Sequence, residues 1–272
     1  MSMTPPYRCA LIGFGTIASA VHGILSQEPS GSPDLHWGAL VRPSSTRARP
    51  PAAITVFDTP EALLAWKPDL VIEAAGQTAV RTLAPAILEA GVSMIITSAG
   101  ALADPDLYQR LDQAARQGKS RIIIPSGAVG TLDYLNALQG TQNVHVVYES
   151  RKPVAAWRQE LITLGHDPDA LTGPLQLFEG YASEAALRYP QNLNVAATLA
   201  LAGMGMQATR VRVVADPGLA ENQHRIQVNS PIGTLDALFQ NTPAANNPKT
   251  SAIVAHSVAQ AVRRQFSHFT IG

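Results

Sequence analysis

The stretch "YRCALIGFGTIASAVHGILSQ", residues 7–27, decides the fold of the N-terminal half of the chain. An apolar strand-like run leads into glycines, and a segment with helical spacing follows them. Gly13, Gly15 and Ala18 form the pattern G-x-G-x-x-A between the two. The first glycine permits a tight turn, the second lets a pyrophosphate approach the backbone, and the small third residue lets helix and strand pack closely. The pattern predicts a dinucleotide site, and a tight turn without a ligand is the alternative.

The segments that follow alternate between short apolar runs and helical patterns, which is typical of a parallel sheet covered by helices. Further strands are predicted at "LHWGALV", "AITVFD", "DLVIEAAG", "VSMIITSAG" and "RIIIPSGA". We therefore predict an α/β protein whose residues 1–127 form a Rossmann dinucleotide-binding domain.

Beyond residue 127 several strands alternate with period two, for example "NVHVVYESR" and "QHRIQVNS". They predict a smaller α+β domain, residues 128–247, which carries the substrate and the catalytic groups. Residues 248–272 are predicted to be a C-terminal helix that packs back on the first domain. In this interpretation the helix includes "NPKTS", with Pro248 near its first turn.

The composition excludes several classes of function. Lysine plus arginine equal aspartate plus glutamate at 20 each, so no charge field favours nucleic acid or a membrane surface. No apolar run is long enough to span a bilayer, and the start "MSMTPPYR" lacks a secretory signal. One cysteine excludes an internal disulfide and a multi-thiolate metal site, and no metal is predicted. We expect a cytoplasmic protein that acts on a small molecule.

The end of the second predicted strand bears on the choice of cofactor. An NAD-selective site usually carries an acidic residue there, but this chain has Val41 and Arg42. Arg42 with Ser44 and Ser45 could bind a 2′-phosphate, and a solvated loop arginine is the alternative. The pattern favours NADP, or the use of both NAD and NADP.

One of the seven histidines has a distinctive position. In "ENQHRIQV" His224 shares a strand face with Ile226 and Val228, while the polar neighbours lie on the opposite face. A histidine among apolar neighbours is either a core residue or a catalytic acid/base, and the spacing alone does not choose. Lys152 and Lys249 could each bind a carboxylate, although a surface position is the commoner outcome for a lysine.

Several longer stretches together resemble the L-aspartate dehydrogenase family along nearly the whole chain. They are "GFGTIA", "DLVIEAAG", "SAGALAD", "IIIPSGAVGTLD", "RKPVAAW", "LFEGYASEAALRYPQNLNVAAT", "ADPGLAENQHRI" and "NPKTS". The last four are more specific than the glycine loop, because unrelated Rossmann enzymes do not carry them. The resemblance implies a homodimer that oxidises L-aspartate with NAD or NADP. The product is iminoaspartate, which becomes oxaloacetate and ammonia or passes toward pyridine nucleotide biosynthesis.

The resemblance also implies roles for individual residues. It makes His224 the active-site histidine and places cofactor contacts at Ala128 and at Asn194, which we expect on a buried helix facing the bound cofactor. The other predicted cofactor contacts are Gly13, Gly15, Thr16, Ile17, Ala18, Arg42, Ala75 and Gly76. For the substrate carboxylates Lys152 is the first choice, followed by Ser126, Thr198 and Lys249.

The chain departs from the family pattern at two serines. A glycine is common where Ser150 and Ser230 stand, and we expect both changes to affect loop geometry without touching the chemistry. Two other functions stay open: a nucleotide-binding sensor without catalysis, and an NADP enzyme like dihydrodipicolinate reductase. The second would carry paired histidines, a lysine and "DAPSGT", whereas this chain has only "IPSGA".

Overall fold

The computed structural model of the protein describes residues 6–27, 33–42, 49–189, 193–245 and 247–269. The chain divides into two compact units, Met1–Pro125 with Ala255–Gly272, and Ser126–Val254. The first unit therefore ends at Pro125, whereas the sequence had suggested a boundary at residue 127. The second unit ends at Val254, whereas the sequence had suggested residue 247.

A six-stranded parallel sheet forms the centre of the first unit. Its strands lie in the order β3-β2-β1-β4-β5-β6, and every neighbouring pair is parallel. Their bounds are β1 (Tyr7–Ile12), β2 (Leu35–Leu40), β3 (Thr55–Phe57), β4 (Leu70–Glu73), β5 (Ser93–Ile96) and β6 (Ile122–Ile123). The strand order reverses between β1 and β4, as in doubly wound nucleotide-binding sheets. The predicted fold class is thus confirmed.

Helices connect these parallel strands. They are α1 (Thr16–Ser26), α2 (Pro60–Ala65), α3 (Gln77–Glu89) and α4 (Pro105–Gly118), with a 3-10 turn at Ala99–Ala103. Their starts follow from the sequence: Thr59 caps α2 through its hydroxyl, and the Asp104 carboxylate accepts from two N–H groups of α4. Helices α3 and α4 approach closely at Gly118, where a Cβ would lie 1.8 Å from the Leu88 carbonyl oxygen.

A five-stranded mixed sheet forms the centre of the second unit, in the order β11-β10-β7-β9-β8. The strands of this unit are β7 (His145–Lys152), β8 (Leu175–Tyr181), β9 (Thr209–Ala215), β10 (Asn222–Ser230), β11 (Gly233–Asn241), β12 (Pro243–Ala244) and β13 (Asn247–Ser251). Its helices are α5 (Leu132–Ala137), α6 (Val154–Thr163), α7 (Ala182–Arg188) and α8 (Asn194–Ala202), with a 3-10 turn at Pro168–Ala170. One face of the sheet is apolar and packs with α6, α7 and α8 into a single core.

The end of the chain differs from the prediction. The terminal helix α9 (Ile253–Arg263) begins after "NPKTS", and Asn247–Ser251 forms a short antiparallel pair with β12 instead of the first helical turn. Pro248 therefore lies in a strand, since the backbone around it pairs with β12. Val258 and Val262 of α9 are buried in the core of the first unit beside residues of β1 and α1. Among the residues described, no helix is both long and apolar enough to cross a membrane.

Candidate functional site

The glycine turn of the first unit has the geometry of a phosphate-binding loop. Gly13 has φ +79°, and a Cβ there would lie 2.9 Å from the Ala75 Cβ, so this position requires glycine. The turn after β1 thus lies directly against the turn after β4, where the strand order reverses. Gly15 offers no side chain to cap α1, and the first turn of α1 has no acidic residue. The positive end of the helix dipole remains available to a phosphate.

The other predicted residues of this turn open helix α1. Thr16 and Ile17 are its first two residues and are half-buried, whereas Ala18 is fully buried against the sheet. The structure therefore gives these three residues the positions that the glycine pattern requires, with the helix start at Thr16 and Ile17 and the packing contact at Ala18.

A buried carboxylate fixes the turn after β4. Glu73 is completely buried, and its Oε1 accepts from the N–H groups of Ala75 and Gly76, each at 2.7 Å. Its two oxygens also accept from the Ser98 hydroxyl and N–H at 3.0 Å. Burial raises the pKa of Glu73, and these hydrogen bonds oppose the rise. Because Glu73 occupies both N–H groups, a ligand at Ala75 or Gly76 would meet their carbon atoms or carbonyl oxygens.

Arg42 follows strand β2 and is exposed. The neighbouring Val41 N–H donates to the Phe57 carbonyl at 3.1 Å, which keeps the chain beside β3 up to that point. Ser44 and Ser45, which the sequence grouped with Arg42, lie outside the described residues. The role of Arg42 toward a 2′-phosphate stays a prediction.

The buried face of the second sheet brings several polar side chains together. In β10 the side chain of His224 points inward with Ile226 and Val228, and only 2% of His224 is exposed. The face that period-two spacing predicted for His224 is confirmed. Strands β7 and β10 are antiparallel, and His224 pairs with Ser150. The buried residues of β7 on this face are Val146, Tyr148, Ser150 and Lys152.

A hydrogen bond fixes the His224 ring. The Tyr148 hydroxyl lies 2.7 Å from His224 Nδ1, and both side chains are buried. Burial raises the pKa of Tyr148, whereas the nearby Ser150 hydroxyl lowers it. The effect of burial is the larger one, so the phenol stays protonated. The other ring nitrogen, His224 Nε2, is also buried, and no described residue forms a hydrogen bond with it. An unpartnered buried ring nitrogen is costly, so this atom is the one that a water or a ligand would contact.

Lys152 is buried rather than on the surface, because it ends the inward-facing row of β7. Its Nζ donates to the Lys249 carbonyl at 2.9 Å and lies 5.5 Å from the centre of the Trp157 ring. The Lys249 ammonium in turn binds Glu160 Oε1 at 3.0 Å. Two of the predicted substrate residues, Lys152 and Lys249, are thus brought together by β13.

The charged groups on this face change one another's pKa. Burial and, to a smaller extent, the Lys249 ammonium lower the pKa of Lys152, and the Glu160 carboxylate raises it. The resulting pKa is about 8. Burial, and then the Lys152 ammonium, lower the pKa of His224 to about 3. At neutral pH the site therefore combines a neutral imidazole with a charged ammonium, and it attracts an anion.

The remaining predicted residues of the second unit occupy other positions. Asn194 is the first residue of α8, which is largely buried as expected, and its own side chain is half-buried. The Thr198 hydroxyl is buried and donates to the Asn194 carbonyl at 3.0 Å within the same helix. Ala128 is buried, and its carbonyl accepts from Asn241 at 2.8 Å. Ser126 is half-buried and precedes the turn at Gly127. Their contacts with ligands stay predictions.

The two serines that depart from the family pattern have different surroundings. Ser230 closes the turn between β10 and β11, since its hydroxyl donates to the Gly233 carbonyl at 2.7 Å. Ser150 instead lies in strand β7 opposite His224. The expected effect on a loop was therefore wrong for Ser150, whereas its distance from the chemistry stays a prediction.

Comparisons with known proteins agree with this geometry. Residues 133–265 match the family model described as "Aspartate dehydrogenase, C-terminal", and residues 13–125 match "Homoserine dehydrogenase, NAD binding domain". L-aspartate dehydrogenase 2 of Bordetella pertussis is 53% identical over 98% of this chain and 99% of its own. The chain belongs to the L-aspartate dehydrogenase family.

Two more distant relatives extend the agreement. L-aspartate dehydrogenase of Ralstonia nicotianae is 39% identical over 93% of this chain and 95% of its own. The crystal structure of aspartate dehydrogenase from Thermotoga maritima has a TM-score of 0.72 at 25% identity, covering 98% of this chain and 99% of that one. The resemblance to the aspartate dehydrogenase family predicted from the sequence is confirmed.

Two buried residues that share this face with His224 escaped the sequence analysis, namely Tyr148 and Asn222. Both carry a signal that the period-two rule detects: Tyr148 alternates with Ser150 and Lys152, and Asn222 alternates with His224. The same period-two rule also places Lys152 of β7 on the inward face. The hydrogen bond between Tyr148 and His224 needed the pairing of two strands that are 76 residues apart at this point.

The buried Lys152 predicts an unusual dependence of stability on pH for this member of the family. Its pKa falls from 10.5 to about 8 on folding, so the unfolded chain binds more protons between these values and stability rises with pH across this window. We expect the free energy of unfolding of the wild type to gain up to about 3 kcal/mol relative to Lys152→Met between pH 8 and pH 10.5. Urea denaturation of both proteins at several pH values measures this difference. Parallel profiles would show that Lys152 is not desolvated.

Proposed function

We propose that the protein is an NAD(P)-dependent L-aspartate dehydrogenase. It oxidises L-aspartate to iminoaspartate, which water converts to oxaloacetate and ammonia, and it catalyses the reverse amination. One observation carries the proposal: the buried face of the second sheet holds the Lys152 ammonium beside an imidazole whose Nε2 has no partner among the described residues. That face occurs in a chain 53% identical to an L-aspartate dehydrogenase over nearly its full length.

The first unit fits a dinucleotide cofactor. Gly13 leaves room where any side chain would meet Ala75, and the uncapped start of α1 offers its N–H groups to a phosphate. Glu73 holds the neighbouring turn at Ala75 and Gly76 in place. When bound, the nicotinamide cofactor accepts the hydride that leaves the substrate Cα.

Lys152 binds a carboxylate of the substrate. The ammonium is held by the Lys249 carbonyl and shielded from water, so its attraction for an anion is stronger than that of a surface lysine. A bound dicarboxylate raises the pKa of Lys152 and His224 together, because negative charge favours the protonated form of each. Substrate binding therefore brings the His224 pKa from about 3 toward the range in which a base works.

His224 acts as the acid/base through Nε2. In this role Nδ1 carries the ring proton and donates to the Tyr148 oxygen, which leaves the lone pair of Nε2 to accept a proton. Nε2 takes a proton from the water that adds to the imine carbon and returns it to the nitrogen that leaves as ammonia. Tyr148 is a positioning residue, because its hydroxyl holds the ring at Nδ1 and thereby orients Nε2.

The proposal extends to the state of the protein in the cell. We infer a homodimer in the cytoplasm that uses NAD and NADP, on the basis of the family resemblance. Sedimentation at micromolar concentration tests the dimer, and a single monomeric species would contradict it.

Turnover of L-aspartate tests the proposed function directly. The wild type should reduce NAD or NADP with L-aspartate, and His224→Asn should lose about 10²–10⁴-fold in kcat, the usual contribution of general acid–base catalysis. Initial rates at equal folded fraction measure the loss.

The control variant for this experiment is His145→Asn, because His145 is exposed on strand β7 of the same sheet. It should keep the wild-type rate. A wild type that binds cofactor but never turns over L-aspartate would favour a nucleotide sensor instead.

Arg42 predicts the use of NADP. Because Arg42 stands where NAD-selective sites carry an acidic residue, Arg42→Asp should raise the KM for NADP by about tenfold or more through repulsion of the 2′-phosphate. The KM for NAD should stay within about twofold. Steady-state kinetics with both cofactors provide the measurement, and unchanged constants would mean that Arg42 does not contact the ribose phosphate.

A further inference from the structure

Asn222 is a completely buried side chain with a fixed orientation. Its Nδ2 donates to the Pro248 carbonyl and to the Ser251 hydroxyl, each at 3.3 Å. A carbonyl oxygen can only accept, so the contact with Pro248 identifies which end of the amide is the nitrogen. The amide oxygen, Oδ1, must therefore point away from β13.

This Oδ1 is buried, and none of the residues that the structure describes donates a hydrogen bond to it. A buried carbonyl oxygen without a donor is costly, and such groups are rare in native proteins. Pro248 and Ser251 anchor the amide although they leave its oxygen unsatisfied. The arrangement presents an acceptor to a donor that the described part of the chain does not supply.

Asn222 belongs to the same face as the proposed active site. It lies two residues before His224 on β10, so the two side chains point the same way about 7 Å apart along the strand. The β7–β10 ladder pairs Gln223 with Arg151, and one further step of this register would place Asn222 opposite Lys152. Side chains at opposite positions are about 5 Å apart. A four-carbon substrate is long enough to reach all three.

We propose that Asn222 Oδ1 accepts a hydrogen bond from the α-nitrogen of the substrate. This inference rests on the proposed function and adds the group that recognises the amine. Lys152 can only donate and therefore takes a carboxylate, whereas Asn222 Oδ1 can only accept and would repel one. The ammonium or amine of aspartate and the N–H of its imine can all donate to this oxygen, so the contact persists through the reaction.

Two ligands that differ only in the nitrogen test this inference. L-aspartate and succinate share both carboxylates, and succinate lacks the amine. Binding is measured by calorimetry on the enzyme saturated with reduced cofactor, which prevents oxidation of aspartate. In Asn222→Ala the Kd for L-aspartate should rise about 10-fold to 100-fold, as expected for a hydrogen bond to a charged group. The Kd for succinate should change by less than about threefold.

Two further variants separate recognition from folding. Ser251→Ala removes one anchor of the amide and leaves Oδ1 in place, so the ratio of the two Kd values should stay at the wild-type value. Asn222→Asp keeps an acceptor oxygen at this position, and its ratio should favour L-aspartate at least as much as the wild type. This variant supplies the test if Asn222→Ala does not fold.

The outcomes are distinct. An unchanged ratio in Asn222→Ala, a lowered preference for L-aspartate in Asn222→Asp, or an equal loss in Ser251→Ala would overturn the inference. A weaker affinity of Asn222→Ala for the reduced cofactor, with the ratio unchanged, would mean that Oδ1 faces the cofactor carboxamide. A wild type that binds neither dicarboxylate would instead contradict the proposed function.

Discussion

The second unit depends on one costly arrangement, the burial of a lysine ammonium and a histidine imidazole on the same face of one sheet. Burying a charge is unfavourable unless other groups compensate. Here the Lys249 carbonyl and the Trp157 ring compensate in part, and the pKa of Lys152 still falls to about 8 and that of His224 to about 3. Glu160 supplies one negative charge, which Lys249 binds, and a dicarboxylate substrate would add more.

The short strand β13 makes this arrangement possible. Its consecutive carbonyls at Pro248 and Lys249 accept from Asn222 and Lys152 respectively, the side chains that begin β10 and end β7. In a helix these carbonyls would bond along the helix axis and be unavailable to side chains. The "NPKTS" segment thus has to be extended, which accounts for the late start of the terminal helix at Ile253. One hairpin fixes both a donor and an acceptor of the proposed substrate site.

Local sequence patterns were sufficient to predict part of the fold and of the candidate site. The glycine turn and the inward position of His224 each depend on one element, so spacing within that element predicted them. The contact of Tyr148 with His224 depends on the pairing of two distant strands, which local spacing does not contain. The burial of Lys152 opposes the usual preference of lysine for the surface, and only the tertiary packing with Trp157 and β13 overrides it. Pro248 is compatible with a helix start and with an extended strand, and pairing with β12 decided the outcome.

Nitrogen NMR of the His224 ring shows directly which nitrogen carries the proton and at what pH the ring titrates. With histidine labelled by ¹⁵N, His224→Asn identifies the signals of His224. We expect a single neutral tautomer between pH 5 and pH 8, with the proton on Nδ1 toward Tyr148 and none on Nε2. Saturating succinate should raise the His224 pKa. A ring that titrates near its ordinary pKa of 6.5, or one that carries its proton on Nε2, would contradict the account.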